Sequence, residues 1–170
     1  MLWINRKFEF SLPVEMFPNV LERLRGTPAR LEEKLAGLPP DILTRKPGDK
    51  WSVQEQVGHL LDLEPLWHGR LADYRNGLKV LRPADIRNRP TTEANHNANS
   101  IGNILNAFRA ERAKLVAEFE AFGIEGAGQS ALYPRLNQPM RVIDGAFFVA
   151  EHDDHHLAKI SALIRGDYLL

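Results

Sequence analysis

Residues 51–71 decide the fold, and they read WSVQEQVGHLLDLEPLWHGRL. Ser52 followed three residues later by Glu55 forms a capping box, in which the two residues satisfy each other's backbone N–H groups at the start of a helix. Apolar residues then recur at intervals of three and four, which is the spacing of one helical face. The residues on this face are Val53, Val57, Leu60, Leu61, Trp67 and Leu71. The pattern predicts a helix from Ser52 to about Gly77 that is kinked at Pro65.

Three further segments have the same apolar periodicity and predict three more helices. Their predicted bounds are about Glu15–Gly37, Ser100–Phe122 and Arg141–Ile164. The sequence Gly26-Thr27-Pro28 interrupts the first of these segments, and Pro28 suits the first turn of a new helix. We therefore expect the first helix to break and restart at this point.

Four long amphipathic helices in 170 residues predict an all-α fold, a four-helix bundle. One domain accounts for residues 1–170, with residues 1–14 as a short extended N-terminal arm. Residues 78–99 include a polar run of three asparagines around His96, and we interpret them as a long connection over the surface or over one end of the domain. A second connection, which contains glycine and proline, extends to Pro139. The arrangement of the helices does not follow from periodicity.

Composition excludes several classes of function. The 22 basic and 22 acidic residues give a formal net charge of zero, which argues against non-specific binding of nucleic acid. Because the chain has no cysteine, it has no disulfide, no thiolate metal ligand and no cysteine nucleophile. The N-terminal sequence MLWINRKFEFSLP does not look like a signal peptide, and no apolar run has the roughly 18 residues that a membrane span needs. We expect a cytoplasmic protein without membrane partners.

Three of the six histidines lie in one window, His152-Asp153-Asp154-His155-His156, within the fourth predicted helix. Residues four apart share a helix face, with Cβ atoms about 5–6 Å apart, so His152 and His156 can direct imidazole nitrogens at one metal ion. His155 is rotated by about 100° from His156, and a His152–His155 pair is a weaker alternative. The residue after His152 is aspartate, so the window is not the metalloprotease motif H-E-x-x-H. The other interpretation of the window is an exposed polar face.

Two imidazoles rarely hold a metal ion tightly enough, so a third ligand is needed. His59 is the best candidate, since it lies among apolar neighbours in the second predicted helix and is expected to point inward. A lone histidine in this setting is more often a buried core residue, but the pair formed by His152 and His156 favours a shared site. We interpret His68 and His96, which lack this context, as surface residues.

Two segments of the chain resemble the DinB/YfiT-like superfamily. One is Trp51-Ser52-Val53 with Gly58-His59-Leu60-Leu61-Asp62-Leu63-Glu64, and the other is Glu151-His152-Asp153-Asp154-His155-His156-Leu157-Ala158-Lys159-Ile160. The features that resemble the family are the tryptophan and serine at the helix start, the histidine about eight residues later, and the late H-x-x-H-H window. The similarity covers about residues 15–165 and leaves out the N-terminal arm.

The resemblance implies a four-helix bundle with an up-down-down-up arrangement, in which residues 78–99 could supply a long connection. It also implies a divalent metal ion, commonly zinc or nickel, held by three histidines that correspond to His59, His152 and His156. Members of the family are often homodimers. Their activities include transferases and isomerases that use low-molecular-weight thiols, and some members are described as metal-dependent hydrolases. A shared fold does not determine which reaction applies.

The first functional hypothesis is a metal-dependent enzyme that acts on a small-molecule substrate, as a thiol-dependent S-transferase or a hydrolase, through a three-histidine site with an open coordination position. The alternative is a non-catalytic, metal-dependent small-molecule-binding or stress-response protein, and a third hypothesis is that no metal binds.

Asp62, Asp153 and His155 are candidates for orienting groups or proton transfer. Solvated helix surface is the favoured interpretation of the two aspartates. A pocket that encloses a small molecule beside the ion would favour the enzyme.

Overall fold

The computed structural model describes residues 3–167, and helices dominate it. The helices are α1 (Phe17–Leu35), α2 (Pro40–Thr44), α3 (Val53–Asp62), α4 (Glu64–Arg75), α5 (Arg89–Glu93), α6 (Ile101–Glu120), α7 (Gly123–Ala127) and α8 (Val142–Arg165). Short 3₁₀-helices cover Trp3–Asn5, Val14–Met16 and His96–Ala98. Two strands, β1 (Ser130–Tyr133) and β2 (Gln138–Arg141), pair antiparallel as a hairpin. The four predicted helices correspond to α1, to α3 with α4, to α6 and to α8, which confirms the all-α prediction. In this part of the chain no helix is long and apolar enough to cross a membrane.

The four-helix bundle has two core clusters. One lies between the N-terminal part of α1, helix α4, the C-terminal part of α6 and the N-terminal part of α8. The other lies between the C-terminal part of α1, helix α3, the N-terminal part of α6 and the C-terminal part of α8. The chain therefore runs from the first cluster to the second in α1 and α8, and in the opposite direction in α3–α4 and α6. This is the up-down-down-up arrangement that was expected, and it places α3 beside α8.

Helix α1 is continuous through Pro28, so the predicted break at Gly26-Thr27-Pro28 is wrong. A proline inside a helix removes one hydrogen bond and costs about 3 kcal/mol. In this chain both Thr27 and Pro28 are buried. The hydroxyl of Thr27 lies 3.1 Å from the carbonyl oxygen of Arg23 and 2.7 Å from Oδ2 of Asp153 on α8. Burial and these contacts offset the lost hydrogen bond and keep the helix in one piece.

The start and the kink of the second predicted helix are both confirmed. The Glu55 N–H donates to Ser52 Oγ over 3.1 Å, and the Ser52 N–H donates to Glu55 Oε2 over 2.8 Å. The kink is sharp enough to separate α3 from α4 at Leu63. Pro65 takes one of the first positions of α4, where no backbone N–H is required. His59 consequently lies in the last turn of α3, just before the kink.

Both long connections contain structure that periodicity does not predict. Residues 78–99 include α5 and a 3₁₀-helix, and both elements pack against α3. The connection before α8 includes the β-hairpin, whose register runs from Ser130 opposite Arg141 to Tyr133 opposite Gln138. The strand sequences, SALY and QPMR, do not show the strict apolar–polar alternation that would predict a strand.

The N-terminal arm lies against the bundle. Residues 1–2 are outside the described range, and the described part begins with a 3₁₀ turn rather than the expected extended segment. Phe8 belongs to the first core cluster. The ring centroid of Trp3 lies 5.0 Å from that of His152, so the arm reaches the predicted metal site.

Candidate metal centre

The structure brings the three predicted ligands together from two helices. His59 lies on α3, while His152 and His156 lie one turn apart on the adjacent α8. One ring nitrogen from each residue lies within 4.8 Å of the other two. Within residues 3–167, no other set of three or more His, Asp or Glu side chains is close enough to share an ion. Each of the three histidines is 4% exposed, so the predicted inward orientation of His59 is correct.

Neighbouring side chains orient two of the rings. Nδ1 of His59 lies 3.0 Å from the Thr91 hydroxyl on α5, and Nδ1 of His156 lies 2.6 Å from Oε1 of Gln56 on α3. An amide oxygen only accepts hydrogen bonds, so the network assigns the proton of His156 to Nδ1 and leaves the Nε2 lone pair available. Metal-binding histidines commonly donate their second ring N–H to such a partner.

The spacing of the ring nitrogens fits a divalent ion. Nε2 of His152 lies 3.2 Å from Nε2 of His156. Two nitrogens that are each about 2.0–2.1 Å from a tetrahedral zinc ion lie about 3.3 Å from each other. Three imidazole nitrogens form the donor set of a catalytic zinc site, which leaves one coordination position for water or substrate. The residues present therefore fit a divalent metal ion.

Burial favours the neutral form of all three imidazoles. It is the largest cause that lowers the pKa of His59 to about 4, against the opposing effect of Asp62. Burial likewise lowers the pKa of His152 and of His156 well below 6.5, and repulsion between the rings on protonation adds to the effect. Neutral imidazole is the form that binds metals, so these side chains need not lose a proton first at neutral pH.

Three indole rings surround the histidines. The ring centroid of Trp51 lies 4.7 Å from that of His59, and those of Trp3 and Trp67 lie 5.0 and 6.0 Å from that of His152. Nδ1 of His152 is buried without a hydrogen-bond partner, so this ring has no orienting bond at its second nitrogen and packs against Trp3 and Trp67 instead. The aromatic walls lower the local dielectric constant and so strengthen electrostatic interactions at the site.

A cavity of about 470 Å³ adjoins the three histidines. Cavities that bind small molecules typically measure about 300–1,000 Å³ and combine apolar walls with a few polar groups. The aromatic residues of this wall are Trp3, Trp51, Trp67, Tyr133 and Phe148. Its basic residues are Arg70, Arg135 and Lys159. The three histidines therefore lie beside a cavity of small-molecule size rather than on a flat surface, which favours an enzyme.

His155 lies on the cavity wall beside the three histidines but is not one of the converging group. Burial and the nearby Lys159 lower its pKa to about 4. Its Nε2 is buried and has no hydrogen-bond partner. The weaker alternative, a His152–His155 pair, gains no third ligand in the described part of the chain.

Two predicted surface side chains, His96 and Asp62, instead form a partly buried contact, in which His96 is buried and Asp62 is half-buried. His96 is 5% exposed, and its Nε2 lies 2.8 Å from Oδ2 of Asp62. The ring packs so closely on Gly58 that a Cβ at that position would lie 2.3 Å from it. The surface interpretation is wrong because residues 78–99 fold back onto α3. His68 is partly exposed between α4 and α6, where its Nδ1 lies 2.8 Å from Glu118.

The prediction of solvated surface is also wrong for Asp153, which is 0% exposed. Asp153 belongs to a buried network to which α1, α4, α6 and α8 each contribute one polar side chain. These side chains are Thr27, Glu64, Arg112 and Asp153. Arg112 pairs with Asp153 and with Glu64, where Nη2 lies 2.7 Å from Oε1. Burial raises the pKa of Glu64 to about 7 against the opposing effect of Arg112. The signal for burial of Asp153 was present in the sequence, since its neighbours four residues away are Val149 and Leu157.

Comparisons with known proteins agree with this fold. The fold is similar to that of YfiT from Bacillus subtilis, which is described as "a probable metal-dependent hydrolase with an unusual four-helix bundle topology". The TM-score is 0.80 at 18% sequence identity, and the match covers 95% of this chain and 93% of that chain. No curated protein matches the sequence. The sequence model of the DinB superfamily matches residues 23–160, and the chain therefore belongs to the DinB superfamily.

Proposed function

We propose that the chain is a divalent-metal-dependent enzyme that acts on a small molecule, by hydrolysis or by transfer of a low-molecular-weight thiol. His59, His152 and His156 are the proposed ligands, and zinc or nickel is the proposed ion. The observation that carries the proposal is the convergence of three buried, neutral imidazoles at the wall of a cavity of about 470 Å³. The description of YfiT as a probable metal-dependent hydrolase supports the same class of function.

A divalent ion in this position supplies Lewis acidity, which lowers the pKa of a water molecule or a thiol at its open coordination position. The side chains of the protein prepare the site. Thr91 and Gln56 hold two of the imidazoles in place. His155 lines the cavity beside the three ligands and is the proposed group for proton transfer there.

Metal analysis of protein purified without an affinity tag tests the proposal. We expect about one equivalent of zinc or nickel per chain, as one three-histidine site would hold. The His152→Ala variant should lose this metal, and the His68→Ala variant should keep it, because His68 lies outside the site. Absence of stoichiometric metal, even after both ions are added, would overturn the proposal.

A second experiment separates the two reactions. Crystals of the metal-loaded protein are soaked with low-molecular-weight thiols, and ester and amide substrates are assayed with and without thiol. Electron density for sulfur beside the three histidines, together with thiol-dependent turnover, would identify a transferase. Turnover that does not depend on thiol would identify a hydrolase. Absence of turnover with every substrate would favour the non-catalytic binding protein.

A further inference from the structure

The cavity beside the three histidines has more basic than acidic side chains in its lining. Its basic residues are Arg70, Arg135 and Lys159. The one carboxylate among the lining residues is Asp85, whose Oδ2 accepts from Nε of Arg89 over 2.8 Å. A cleft with one sign of charge between low-dielectric walls attracts small molecules of the opposite sign.

Arg70 is the most deeply buried of these basic residues, at 5% exposed. Its Nε donates to the carbonyl oxygen of Arg82 over 3.2 Å, whereas its Nη2 is buried without a hydrogen-bond partner. Arg70 forms no ion pair with any residue in the range 3–167. Burial of a charged donor without a partner is unfavourable. Arg70 lines the cavity, so an anion there would relieve this cost once the shielded Nη2 turns towards it.

Arg135 repeats this pattern beside Arg70. Its Nε donates to the Tyr133 hydroxyl over 3.1 Å and its Nη1 donates to the carbonyl oxygen of Ile4 over 2.9 Å, but its Nη2 is buried without a partner. The guanidinium carbons of Arg70 and Arg135 lie 4.8 and 5.7 Å from the centroid of the Tyr133 ring. Two positive groups thus lie over one aromatic ring, and in each of them Nη2 has no hydrogen-bond partner.

The protein fixes Arg70 in this position without neutralising it. Asp73 lies one turn further along α4, but its carboxylate is occupied by Arg82: Oδ1 accepts from Nη2 over 2.7 Å and Oδ2 accepts from the backbone N–H over 2.9 Å. These bonds also hold the Arg82 carbonyl oxygen that accepts from Arg70. The guanidinium is therefore oriented before any ligand arrives, which is typical of a binding group.

We propose that the substrate is a small organic acid whose carboxylate pairs with Arg70 and Arg135, while its reactive end reaches the three histidines. This inference rests on the proposed function and names its substrate class. The Trp67 ring connects the two ends of the site, since its centroid lies 5.2 Å from the Arg70 guanidinium carbon and 6.0 Å from the His152 ring centroid. A carboxylate matches two guanidinium donors in both charge and geometry.

Binding of paired acids and amides to the cobalt-loaded protein tests this inference. The probes are 3-mercaptopropionate and 6-mercaptohexanoate, each compared with its neutral carboxamide, and charge-transfer absorption between thiolate and cobalt reports binding. We expect at least one of the acids to bind about tenfold or more tightly than its amide. In the Arg70→Met variant this ratio should fall to near unity. The Arg75→Met variant should keep the ratio, because Arg75 pairs with Glu118 away from the cavity.

Cobalt content, measured first, separates failure of this inference from failure of the proposed function. If the wild-type protein binds cobalt but binds acids and amides equally well, only the small-acid inference is overturned. If no metal binds, the proposed function fails, and the acid–amide comparison is then read from tryptophan fluorescence, because Trp67 contacts Arg70. If Arg70→Met does not fold, the more exposed Arg135→Gln must lower the ratio, and an unchanged ratio in that variant overturns the inference.

Discussion

His59 and His156 each present Nε2 to the site because the other ring nitrogen is already engaged, by Thr91 in one case and by Gln56 in the other. His152 differs from both, since its Nδ1 has no hydrogen-bond partner and its ring packs against two indole rings. Loss of an orienting hydrogen bond should therefore weaken metal binding without removing a ligand.

We expect the Thr91→Val variant to bind zinc about 10–100-fold more weakly than the wild-type protein, because the His59 ring loses its partner. Competition with a chelator measures this affinity. Thr92→Val is the control, since the Thr92 hydroxyl bonds only to the Asn88 carbonyl oxygen on the same exposed segment. Equal affinities in the wild-type protein and the Thr91 variant would show that the contact does not orient the ligand.

The lowered pKa values predict how the stability of the metal-free protein changes with pH. Between pH 6.5 and about 4 the unfolded chain binds a proton at His59 that the native site does not bind. Stability therefore falls as the pH decreases through this window, by about 3 kcal/mol for His59 alone. Urea unfolding at a series of pH values measures the change. The His59→Gln variant should show a shallower dependence, and an identical dependence would contradict the assignment.

His155 provides a test of the proposed proton transfer. The His155→Gln variant should keep full metal affinity, because His155 is outside the three-histidine group. Its kcat should fall by about 10²–10⁴-fold. A wild-type kcat in this variant would show that His155 takes no part in the reaction. Loss of the metal ion from this variant would show that His155 is a ligand.

Helical spacing was sufficient to predict the His152–His156 pair, because the i and i+4 positions meet whatever the tertiary fold. His59 required the additional argument that a pair of imidazoles needs a third ligand. Thr91 was not predicted, since it lies in a connection without apolar periodicity and reaches His59 only through the tertiary fold. The burial of His96 escaped prediction for the same reason.

The close contact between α3 and residues 78–99 makes Gly58 a sensitive position. A Cβ there would lie 2.3 Å from the His96 ring, so we expect Gly58→Ala to destabilise the protein by about 1–3 kcal/mol and to weaken metal binding at the adjacent His59. Gly26→Ala is the matched helical control, because nothing lies within 4 Å of its added Cβ. That change should be neutral or stabilising by up to about 1 kcal/mol. Chemical unfolding and zinc competition measure both effects, and equal behaviour of the two variants would contradict the account.

The buried pairs of Arg112 connect three bundle helices through Glu64 and Asp153. Removal of the cation leaves the two buried carboxylates of Glu64 and Asp153 without a counter-charge, so Arg112→Met should cost about 3–5 kcal/mol of unfolding free energy. The exposed pair between Arg109 and Glu32 is the control, and Arg109→Met should cost less than about 1 kcal/mol. Similar losses in the two variants would show that the buried network contributes no more than a surface pair.

Prediction succeeded for the long amphipathic helices, because burial against a single core imposes a periodicity that the sequence displays directly. It failed where tertiary contacts override a local signal. Pro28 indicated a helix break that burial of α1 prevents, and β1 and β2 are stabilised by pairing with each other rather than by their own sequence.

The site depends on the topology of the whole bundle. The up-down-down-up arrangement places α3 beside α8, although the two helices are far apart in the sequence. It also leaves a cavity that is bordered by these helices, the N-terminal arm and the β-hairpin. Apolar periodicity could not predict this arrangement of the helices. The resemblance of two short motifs to the DinB/YfiT-like superfamily did predict it. A homodimer remains a prediction, for which sedimentation equilibrium is the measurement.

X-ray absorption spectroscopy of the zinc-loaded protein tests the central claim most directly. The account predicts three imidazole nitrogens and one further light atom at about 2.0–2.1 Å from the zinc ion, with the number of imidazoles reduced to two in the His59→Ala variant. A zinc environment without imidazole scattering, or an unchanged set of three imidazoles in that variant, would contradict the account.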